Sequence, residues 1–381
     1  MRWMTLLVGA LAVWVVSAAG ASGSAGAAQA RWVVRDLGIG GSEALAVNER
    51  GQVLGRSATG GFLWQNGRVT RLGDVSPVAL NDLGQIIWQQ NTPTGQHVFL
   101  WEKGSARDIG TLGGPGSFPV AINDLGQIVG YADTAADSVH LTGPAHVFLW
   151  ENGVMSDLGA DCWAKAINDK GQIAGRTLNT GTGDFGCLLD HGTTTGFGTP
   201  GGSQSDAYAI NERGQVIGYI STVTGAYHAY VWQNGKMTDL GTLGGQRTFP
   251  TAINGRGQVI GQSDTPRFPE AITDRGKFPR TFNHAFVWQK GKMTDLGTLP
   301  GGKSSTATAI NDRGQIVGYA STATRTNHAF LWDSGKMTDL GTLPRYQASR
   351  AVAINNKGQI VGYTTKTGQR HAVLWTLRHS T

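Results

Sequence analysis

The chain has 381 residues, of which 57 are glycine, and it carries 32 lysines and arginines against 26 aspartates and glutamates. The net charge of +6 is not gathered into a dense basic run, and this disfavours nucleic-acid binding. The many glycines and the scarcity of helix-periodic segments favour short strands joined by tight turns.

The first thirty residues have the layout of a secretory signal peptide. Arg2 precedes an apolar run at 6–16, and a small-residue tract then ends in Ala28-Gln29-Ala30. This is the order of a charged region, a hydrophobic region and an Ala-x-Ala cleavage site. We predict a signal peptide at 1–30 and one secreted domain at 31–381, located in the periplasm or outside the cell. No later segment has the roughly 20 apolar residues that a membrane span needs, so none is expected.

A repeated unit fills the rest of the chain. Each copy contains a small-residue stretch that ends at an asparagine, a turn that closes on Gly-Gln, and two more apolar runs. The eight asparagines are Asn48, Asn81, Asn123, Asn168, Asn211, Asn254, Asn311 and Asn355. Their separations range from 33 to 57 residues and cluster near 43. A repeat of this length is typical of a propeller blade.

The seventh unit shows how one repeat is expected to fold. The alternating small residues 307–310 and the run 315–319 predict two strands joined by a hairpin turn at 311–314. The asparagine side chain of such a turn can bond its own backbone, and the glycine supplies a positive φ. An aromatic strand at 328–332 and a fourth strand at 336–341 follow. Four short antiparallel strands make one blade.

The two ends of the repeat region predict a closed ring. The segment 32–38 matches only the fourth strand of a unit, whereas the chain ends after a third strand at 371–375. The N-terminal strand should therefore complete the last unit, since an open solenoid would have polar capping repeats. We predict an all-β, eight-bladed β-propeller with the alanine-rich strands innermost.

A tryptophan recurs at one position of the third strand and is expected to pack between blades. These residues are Trp64, Trp101, Trp150, Trp232, Trp288, Trp332 and Trp375. Burying one is worth about 3–5 kcal/mol relative to alanine. The fourth unit has Leu189 instead, and its fourth strand at 193–198 lacks the recurring aspartate. Blade 4 is therefore predicted to be the least stable blade.

The repeated motifs resemble those of a known family. His228, His284 and His328 each begin a His-Ala-aromatic block that is followed by Lys-Met-Thr-Asp-Leu-Gly-Thr-Leu. Together with the Ala-Ile-Asn-x-x-Gly-Gln element, these blocks resemble the extracellular HAF-repeat family over most of 31–375. The first unit departs from the pattern at Gly60-Gly61 and Arg71, the second unit at Trp88. The resemblance implies an exported bacterial repeat protein and assigns no catalytic residue.

The recurring histidines and aspartates are expected to have structural roles. The histidines are His97, His146, His228, His284, His328 and His371, and the aspartates are Asp36, Asp108, Asp157, Asp239, Asp295 and Asp339. Equivalent positions around a ring cannot converge on one metal ion, so we expect the histidines to bond a loop or a neighbouring blade. The aspartates should serve turns and strand edges. We predict no catalytic, metal-binding or cofactor-binding residue and no cofactor.

Cys162 and Cys187 both lie in the fourth unit. In an exported protein such a pair can form a disulfide. Our strand assignment puts them on non-adjacent strands about 10 Å apart, whereas a bridge requires Cα atoms within about 7 Å. A bulge or an approach at a strand end would be needed, so the sequence leaves both the bridged and the free state open.

The variable loops are the expected binding surface. Loops that differ between copies on a rigid scaffold are where binding residues are usually found. The longest insertion, at about 264–282, holds the candidate binding residues Arg267, Phe268, Phe278 and Arg280. A second candidate loop at 133–144 holds Asp133, Asp137 and His140. The alternative for both loops is a surface insertion that has no function.

We therefore expect a monomeric, non-enzymatic binding or scaffold propeller that engages an extracellular protein or polysaccharide. The main alternative is a glycan-active hydrolase or lyase with its site at the mouth of the central channel. A cluster of unlike, non-repeated charged side chains at that mouth would favour the enzyme. A structural role in an envelope layer is the third hypothesis.

Overall fold

Short antiparallel strands account for almost all of the regular structure. The computed structural model describes residues 31–134, 145–177, 184–198, 204–266 and 282–378, and also the backbone of three short strands at 13–15, 272–273 and 276–277. Eight four-stranded sheets form the blades, and the eighth carries a fifth strand on its outer edge. No helix in these parts of the chain has the length and hydropathy to cross a membrane.

Two N-terminal strands precede the first three blades. They are β1 (Val13–Val15) and β2 (Arg31–Gly40). Blade 1 contains β3 (Ser42–Val47), β4 (Val53–Ser57), β5 (Gly60–Gln65) and β6 (Arg68–Gly73). Blade 2 contains β7 (Ser76–Leu80), β8 (Ile86–Thr92), β9 (Gly95–Glu102) and β10 (Ser105–Asp108). Blade 3 contains β11 (Gly113–Ile122), β12 (Ile128–Thr134), β13 (His146–Glu151) and β14 (Val154–Asp157).

Blade 4 contains β15 (Trp163–Ile167), β16 (Ile173–Arg176), β17 (Gly186–Asp190) and β18 (Thr193–Phe197). Blade 5 contains β19 (Ser205–Ile210), β20 (Val216–Ser221), β21 (Tyr227–Gln233) and β22 (Lys236–Asp239). Blade 6 contains β23 (Thr248–Ile253), β24 (Val259–Asp264), β27 (Asn283–Gln289) and β28 (Lys292–Asp295), with the hairpin β25 (Ile272–Thr273) and β26 (Gly276–Lys277) between its second and third strands. Blade 7 contains β29 (Ser305–Ile310), β30 (Ile316–Ser321), β31 (Asn327–Asp333) and β32 (Lys336–Gly341). Blade 8 contains β33 (Ala348–Ile354), β34 (Ile360–Lys366) and β35 (Gln369–Arg378) and is completed by β2.

The N-terminal strand closes the ring as the sequence predicts. Strand β2 pairs antiparallel with β35, with Val34 opposite Trp375 and Asp36 opposite Val373. Strand β1, which falls within the predicted signal peptide, pairs with β2 as the outermost strand of this sheet. The eight-bladed propeller is confirmed, and the signal peptide stays a prediction.

The first strand of each blade lies innermost. Successive first strands contact one another around the whole ring, and each sheet runs outward from its first strand to its fourth. Every first strand has a register shift at one residue, so that this residue has no partner on the second strand. The shifted residues are Leu45, Val78, Val120, Lys165, Tyr208, Thr251, Thr308 and Val352. They lie on the strand that borders the central channel and are mostly valine or threonine, with leucine in blade 1, lysine in blade 4 and tyrosine in blade 5.

A glycine in most second strands makes room for an aromatic ring from the third strand. A Cβ at Gly55 would lie 2.1 Å from the Phe62 ring, so no larger residue fits there. Blade 2 has Trp88 instead, which is 2% exposed and stacks on Phe99 with ring centroids 6.4 Å apart. The departure from the repeat at Trp88 is thus accommodated by parallel rings.

The recurring tryptophans lie in or against the apolar clusters between blades. Trp64, Trp150, Trp232 and Trp375 are buried, and Trp101, Trp288 and Trp332 are partly buried against the same clusters. In blade 4, Leu189 is buried in the tryptophan position. Phe197 of that blade stacks on Trp232 of blade 5 with centroids 4.6 Å apart. The relative stability of blade 4 stays a prediction.

Candidate functional site

One face of the ring carries the tight turns, and it is called the turn face below. In each Asn-x-x-Gly turn the asparagine Oδ1 accepts backbone N–H bonds from its own turn, as Asn48 does from Arg50 and Gln52 at 3.1 and 2.9 Å. The sequence predicts this bond. Each asparagine Nδ2 also donates to the backbone carbonyl of the equivalent asparagine in the next blade, at 2.9–3.0 Å. The eight bonds form an unbroken circle, which was not predicted from the sequence.

The residue after each asparagine belongs to a second, mostly acidic series at the turn face. Its members are Glu49, Asp82, Asp124, Asp169, Glu212, Gly255, Asp312 and Asn356. Except for Gly255, which has no side chain, each accepts through a side-chain oxygen the backbone N–H of the equivalent residue one blade earlier, at 2.6–3.2 Å. The series is therefore open between Glu212 and Gly255. Burial raises the pKa of Asp124, and the charges of Asp82, Asp169 and Glu49 also raise it, against the lowering effect of the Asp82 N–H bond. No group of three or more metal-ligating side chains with suitable geometry occurs among the described residues.

The recurring histidines and aspartates are bonded to each other. In six blades the histidine Nδ1 lies 2.7–3.2 Å from the aspartate of the adjacent fourth strand. Each aspartate also accepts the N–H of the glycine two residues later, at 2.7–2.8 Å. The turn role of the aspartates is confirmed. The constant spacing of 11 residues within five of the pairs was the sequence signal for the His–Asp contact, and it was missed.

Two of these histidines also bond the connection to the next blade. His284 has a backbone hydrogen bond with Lys303, and His328 has one with Gln347. The hydrogen bond to Asp295 raises the pKa of His284 above its usual value, although burial lowers it in part. The pKa of His328 is raised in the same way by Asp339. These contacts confirm, for two blades, that the histidines hold neighbouring parts of the ring together.

The two cysteines form a disulfide inside blade 4, with Cα atoms 5.9 Å apart. Cys162 precedes the first residue of β15, and Cys187 lies opposite Gly175 on the third strand. The bridge therefore forms at a strand end and passes over Gly175, which has no side chain. For this reason the two cysteines come closer than the distance expected between non-adjacent strands. The position of Cys162 is taken by a buried serine in five other blades: Ser42, Ser117, Ser205, Ser305 and Ser349. Each of these serines accepts a backbone N–H from the preceding blade at 2.8–3.1 Å.

The opposite face carries the long connections, and it is called the loop face below. The candidate residues Arg267, Phe268, Phe278 and Arg280 lie outside the described residues, as do Asp137 and His140. Asp133 lies near the end of β12, partly buried, and its Oδ2 has no hydrogen-bond partner. The predicted loop site therefore stays a prediction.

At the loop-face end of the inner strands, the side chains that meet across a junction differ in kind between several junctions. A second-strand residue of one blade meets a first-strand residue of the next, and the two together are called a rim pair. Tyr131–Trp163 is a ring contact at 4.5 Å, Tyr219–Phe249 is one at 6.1 Å, and in Tyr319–Arg350 the guanidinium lies 4.2 Å from the ring centroid. Gln262 and Thr306 are hydrogen-bonded at 3.3 Å. These positions were not singled out from the sequence, although they are the ones that vary within otherwise repeated strands.

An aromatic cluster spans blades 5 and 6 on this rim. The ring centroid of Tyr219 lies 5.6 Å from that of Tyr208, 5.4 Å from that of Tyr227 and 6.1 Å from that of Phe249. Tyr227 also stacks on Phe249, with centroids 6.2 Å apart. Tyr208 is the shifted residue of β19 and is 39% exposed. Burial raises the pKa of both Tyr208 and Tyr219, so both hydroxyls keep their protons at neutral pH.

A charged junction separates blades 4 and 5 on the same rim. Arg176 lies 3.3 Å from Asp184 and interacts electrostatically with Asp206 of the next blade. Burial raises the pKa of Asp206, and the positive charges of Arg176 and Lys165 lower it in part. Asp206 Oδ1, Arg176 Nε and Trp163 Nε1 are buried atoms without a hydrogen-bond partner. Arg176 and Asp206 face each other across this junction, and Trp163 lies opposite Arg176 within the sheet of blade 4.

The other side of the rim is basic. Arg56 and Arg370 both pair with Glu43, the former at 2.5 Å. Arg370 also lies over the ring of Tyr363, 4.6 Å from its centroid. These arginines are held by a carboxylate or a ring. Blade 8 on this side also contains buried polar atoms without a hydrogen-bond partner, which are Arg35 Nε, Thr364 Oγ1 and Trp375 Nε1.

Comparison with known proteins bears on the fold only. The chain is similar to Porphyromonas gingivalis dipeptidyl peptidase 4, with 7% identity and a TM-score of 0.59, over 91% of this chain and 58% of that chain. It is also similar to the β-propeller domain of the Trilobed protease from Pyrococcus furiosus, with 10% identity and a TM-score of 0.48, over 81% of this chain and 95% of that chain. No protein-family model and no curated protein matches the sequence. The chain is a β-propeller, and its activity does not follow from these similarities.

Proposed function

We propose that the protein is an exported, non-enzymatic binding or scaffold propeller that engages a protein or polysaccharide through its loop face. The observation that carries this proposal is the contrast between the two faces. The turn face repeats the same asparagine hydrogen bonds in all eight blades, whereas the rim pairs described on the loop face include ring contacts, an arginine–tyrosine contact and a hydrogen bond. A rigid ring that presents unlike groups is suited to recognition.

Two further features agree with export. The resemblance to the HAF-repeat family implies an exported protein, and the Cys162–Cys187 disulfide is of the kind that persists in an oxidising compartment. Detection of the processed protein in the periplasm or the medium, with an N-terminus at Arg31, tests the export proposal. A cytoplasmic protein that retains Met1 would contradict it.

Binding is tested by probing glycan arrays and native envelope extracts with the secreted protein. The loop-face variant Tyr219→Ala should bind the ligand more weakly. The turn-face variant Leu125→Ser should retain it, because Leu125 is 65% exposed in a turn on the opposite side. Weaker binding in both variants, or in neither, would place recognition elsewhere.

A glycan hydrolase or lyase is the second candidate, and one observation favours it. Lys165, Arg176 and Asp206 are unlike, non-repeated charged residues near one another on the rim. Incubation with polysaccharides, followed by analysis of reducing ends and of unsaturated products, tests for catalysis. Product formation that is lost in Asp206→Asn would replace the binding proposal with the enzymatic one.

A further inference from the structure

We infer that the rim of blades 3 to 6 binds a neutral polysaccharide, with sugar rings stacked on Tyr208 and Tyr219 and their hydroxyls bonded by Trp163, Arg176 and Asp206. This inference rests on the proposed binding function and names the ligand class and its location. The loop-face rim of blades 3 to 6 is called the rim arc below. The junction of blades 4 and 5 lies at its centre. Aromatic rim pairs lie on either side of it, Tyr131–Trp163 and Tyr219–Phe249.

The aromatic groups of the rim arc suit stacking on sugar rings. Tyrosine presents an apolar ring together with a polar hydroxyl, which matches a pyranose that has C–H faces and hydroxyl edges. Tyr208 is 39% exposed, and Tyr219 and Tyr227 are partly exposed beside it. The rings continue from the channel strand β19 to the third strand β21, so the platform is long enough to contact more than one sugar ring.

The polar groups at and beside the junction of blades 4 and 5 match hydroxyls. Trp163 Nε1 and Arg176 Nε are donors, Asp206 Oδ1 is an acceptor, and none of the three has a partner. Asp206 is only 7% exposed, and leaving a buried polar group unpaired costs about 1–3 kcal/mol. A sugar hydroxyl both donates and accepts, so a single chemical group can satisfy the donors and the acceptor alike.

The charges of the rim arc favour a neutral ligand. Lys165 and Arg176 are balanced by Asp184 and Asp206. The basic side of the rim instead has Arg56, Arg350 and Arg370 against Glu43. An acidic polymer would favour that side, whereas a neutral chain gains most from the aromatic rings of blades 3 to 6.

A cleft extends the rim arc outward. It has a volume of about 310 Å³ and is lined by Tyr227, His228, Gly245 and Arg247 among others. Tyr227 belongs to both the aromatic cluster and this cleft, so a chain stacked on Tyr219 can continue outward between blades 5 and 6. Arg247 is held there by Asp264 at 2.9 Å.

The test is a titration of the full secreted protein with soluble glucan, mannan, galactan and xylan, using alginate as the acidic counterpart. We expect binding to at least one of the four neutral polymers, and weaker binding to alginate. Tyr208→Ala and Tyr219→Ala should each weaken this binding by about tenfold, the upper range for loss of one ring contact. Tyr219→Phe retains the ring and should lose less than about threefold.

Tyr319→Ala is the matched control, because it removes an equivalent second-strand tyrosine from the basic side of the rim. It should leave the affinity unchanged, and circular dichroism should show all the variants to be folded. Weaker binding in Tyr319→Ala alone, or a preference for alginate, would overturn the inference and leave the binding function in place. If the protein captures a protein partner through Tyr219 and binds no neutral polymer, the polysaccharide inference is overturned and the binding function stands. Absence of any loop-face ligand would overturn both.

Discussion

The side-chain Nδ2 of Asn355 donates to the backbone carbonyl of Asn48 at 2.9 Å, although 307 residues separate them. This bond joins the last blade to the first and completes the circle that begins with Asn48 and Asn81. Its closure is independent of the strand pairing between β2 and β35 on the outside of blade 8. The ring is therefore fastened at its inner edge by a side chain and at its outer edge by a backbone ladder.

Asn355→Ala should destabilise the protein by about 2–3 kcal/mol. The substitution removes the bond to Asn48 and leaves the N–H groups of Lys357 and Gln359 without their acceptor. Urea denaturation provides the measurement, with Lys357→Ala as an exposed control in the same turn. Equal midpoints for the two variants would contradict a role for Asn355 in closing the ring.

Asp124→Asn should stabilise the protein at neutral pH. An amide oxygen can still accept the Asp82 N–H, as Asn356 does for Asp312, while the repulsion from Asp82 and Asp169 disappears. The Asp124 carboxyl loses part of its hydration to the neighbouring turns, but its side chain still reaches solvent. We therefore expect a gain of only about 0.5 kcal/mol, which should shrink in high salt. The free energy of unfolding in low and high sodium chloride provides the comparison. A loss of stability in low salt would show that the charge itself is needed.

Removal of the disulfide by Cys162→Ser with Cys187→Ala should cost about 3 kcal/mol, as expected for a bridge that closes a loop of this size. The bridge spans a sequence separation of 25 residues. Thermal unfolding with and without reductant gives the measurement. The wild type should become less stable in reductant, whereas the variant should be indifferent to it. A wild type that does not respond to reductant would mean that the bridge adds nothing to stability.

The His–Asp pairs should give stability a pH optimum on the acid side of neutrality. The folded-state pKa of His284 and His328 is raised, so their contribution is complete below about pH 6.5 and is lost as the pH rises through the folded value. Burial alone would raise the pKa of Asp295, but its bonds to His284 and the Gly297 N–H lower it overall. Its contribution is therefore present above about pH 3.9 and is lost as the pH falls through the folded value.

The His–Asp pairs contribute fully to stability between those two pH limits. Denaturation across pH 3 to 9 measures how the free energy of unfolding depends on pH. The double variant His284→Gln with His328→Gln should lose most stability near pH 5 and much less at pH 8. A deficit that is the same at both pH values would mean that the histidines act without their charge.

The number and spacing of the repeats were sufficient to predict the ring. Equivalent asparagines at near-constant spacing give the blade count, and a lone fourth strand at the start with a missing one at the end gives the closure. Strand pairing within a blade is local and follows from alternation and turn residues, so these features can be predicted without coordinates. The His–Asp contact was equally local, and the constant spacing of 11 residues could have predicted it.

The candidate site was not predictable in the same way. The sequence pattern favoured binding in the loop insertions, whereas the contacts that differ from blade to blade lie on the inner strands. Tyr131 meets Trp163, and Tyr219 meets Phe249, across junctions between separate blades. Which side chains face each other there depends on how each sheet is rotated against the next, and no local pattern encodes this rotation.

The sequence by itself determined the all-β class, the number of blades and the N-terminal strand that completes the last one. These depend on periodicity and on hydrogen bonds between strands close in the chain. Only the tertiary structure decided that eight asparagine side chains form one circle and that Arg176 and Asp206 share a junction with unsatisfied polar atoms. Such contacts arise when whole sheets pack face to face, because packing brings together residues that the repeat keeps apart.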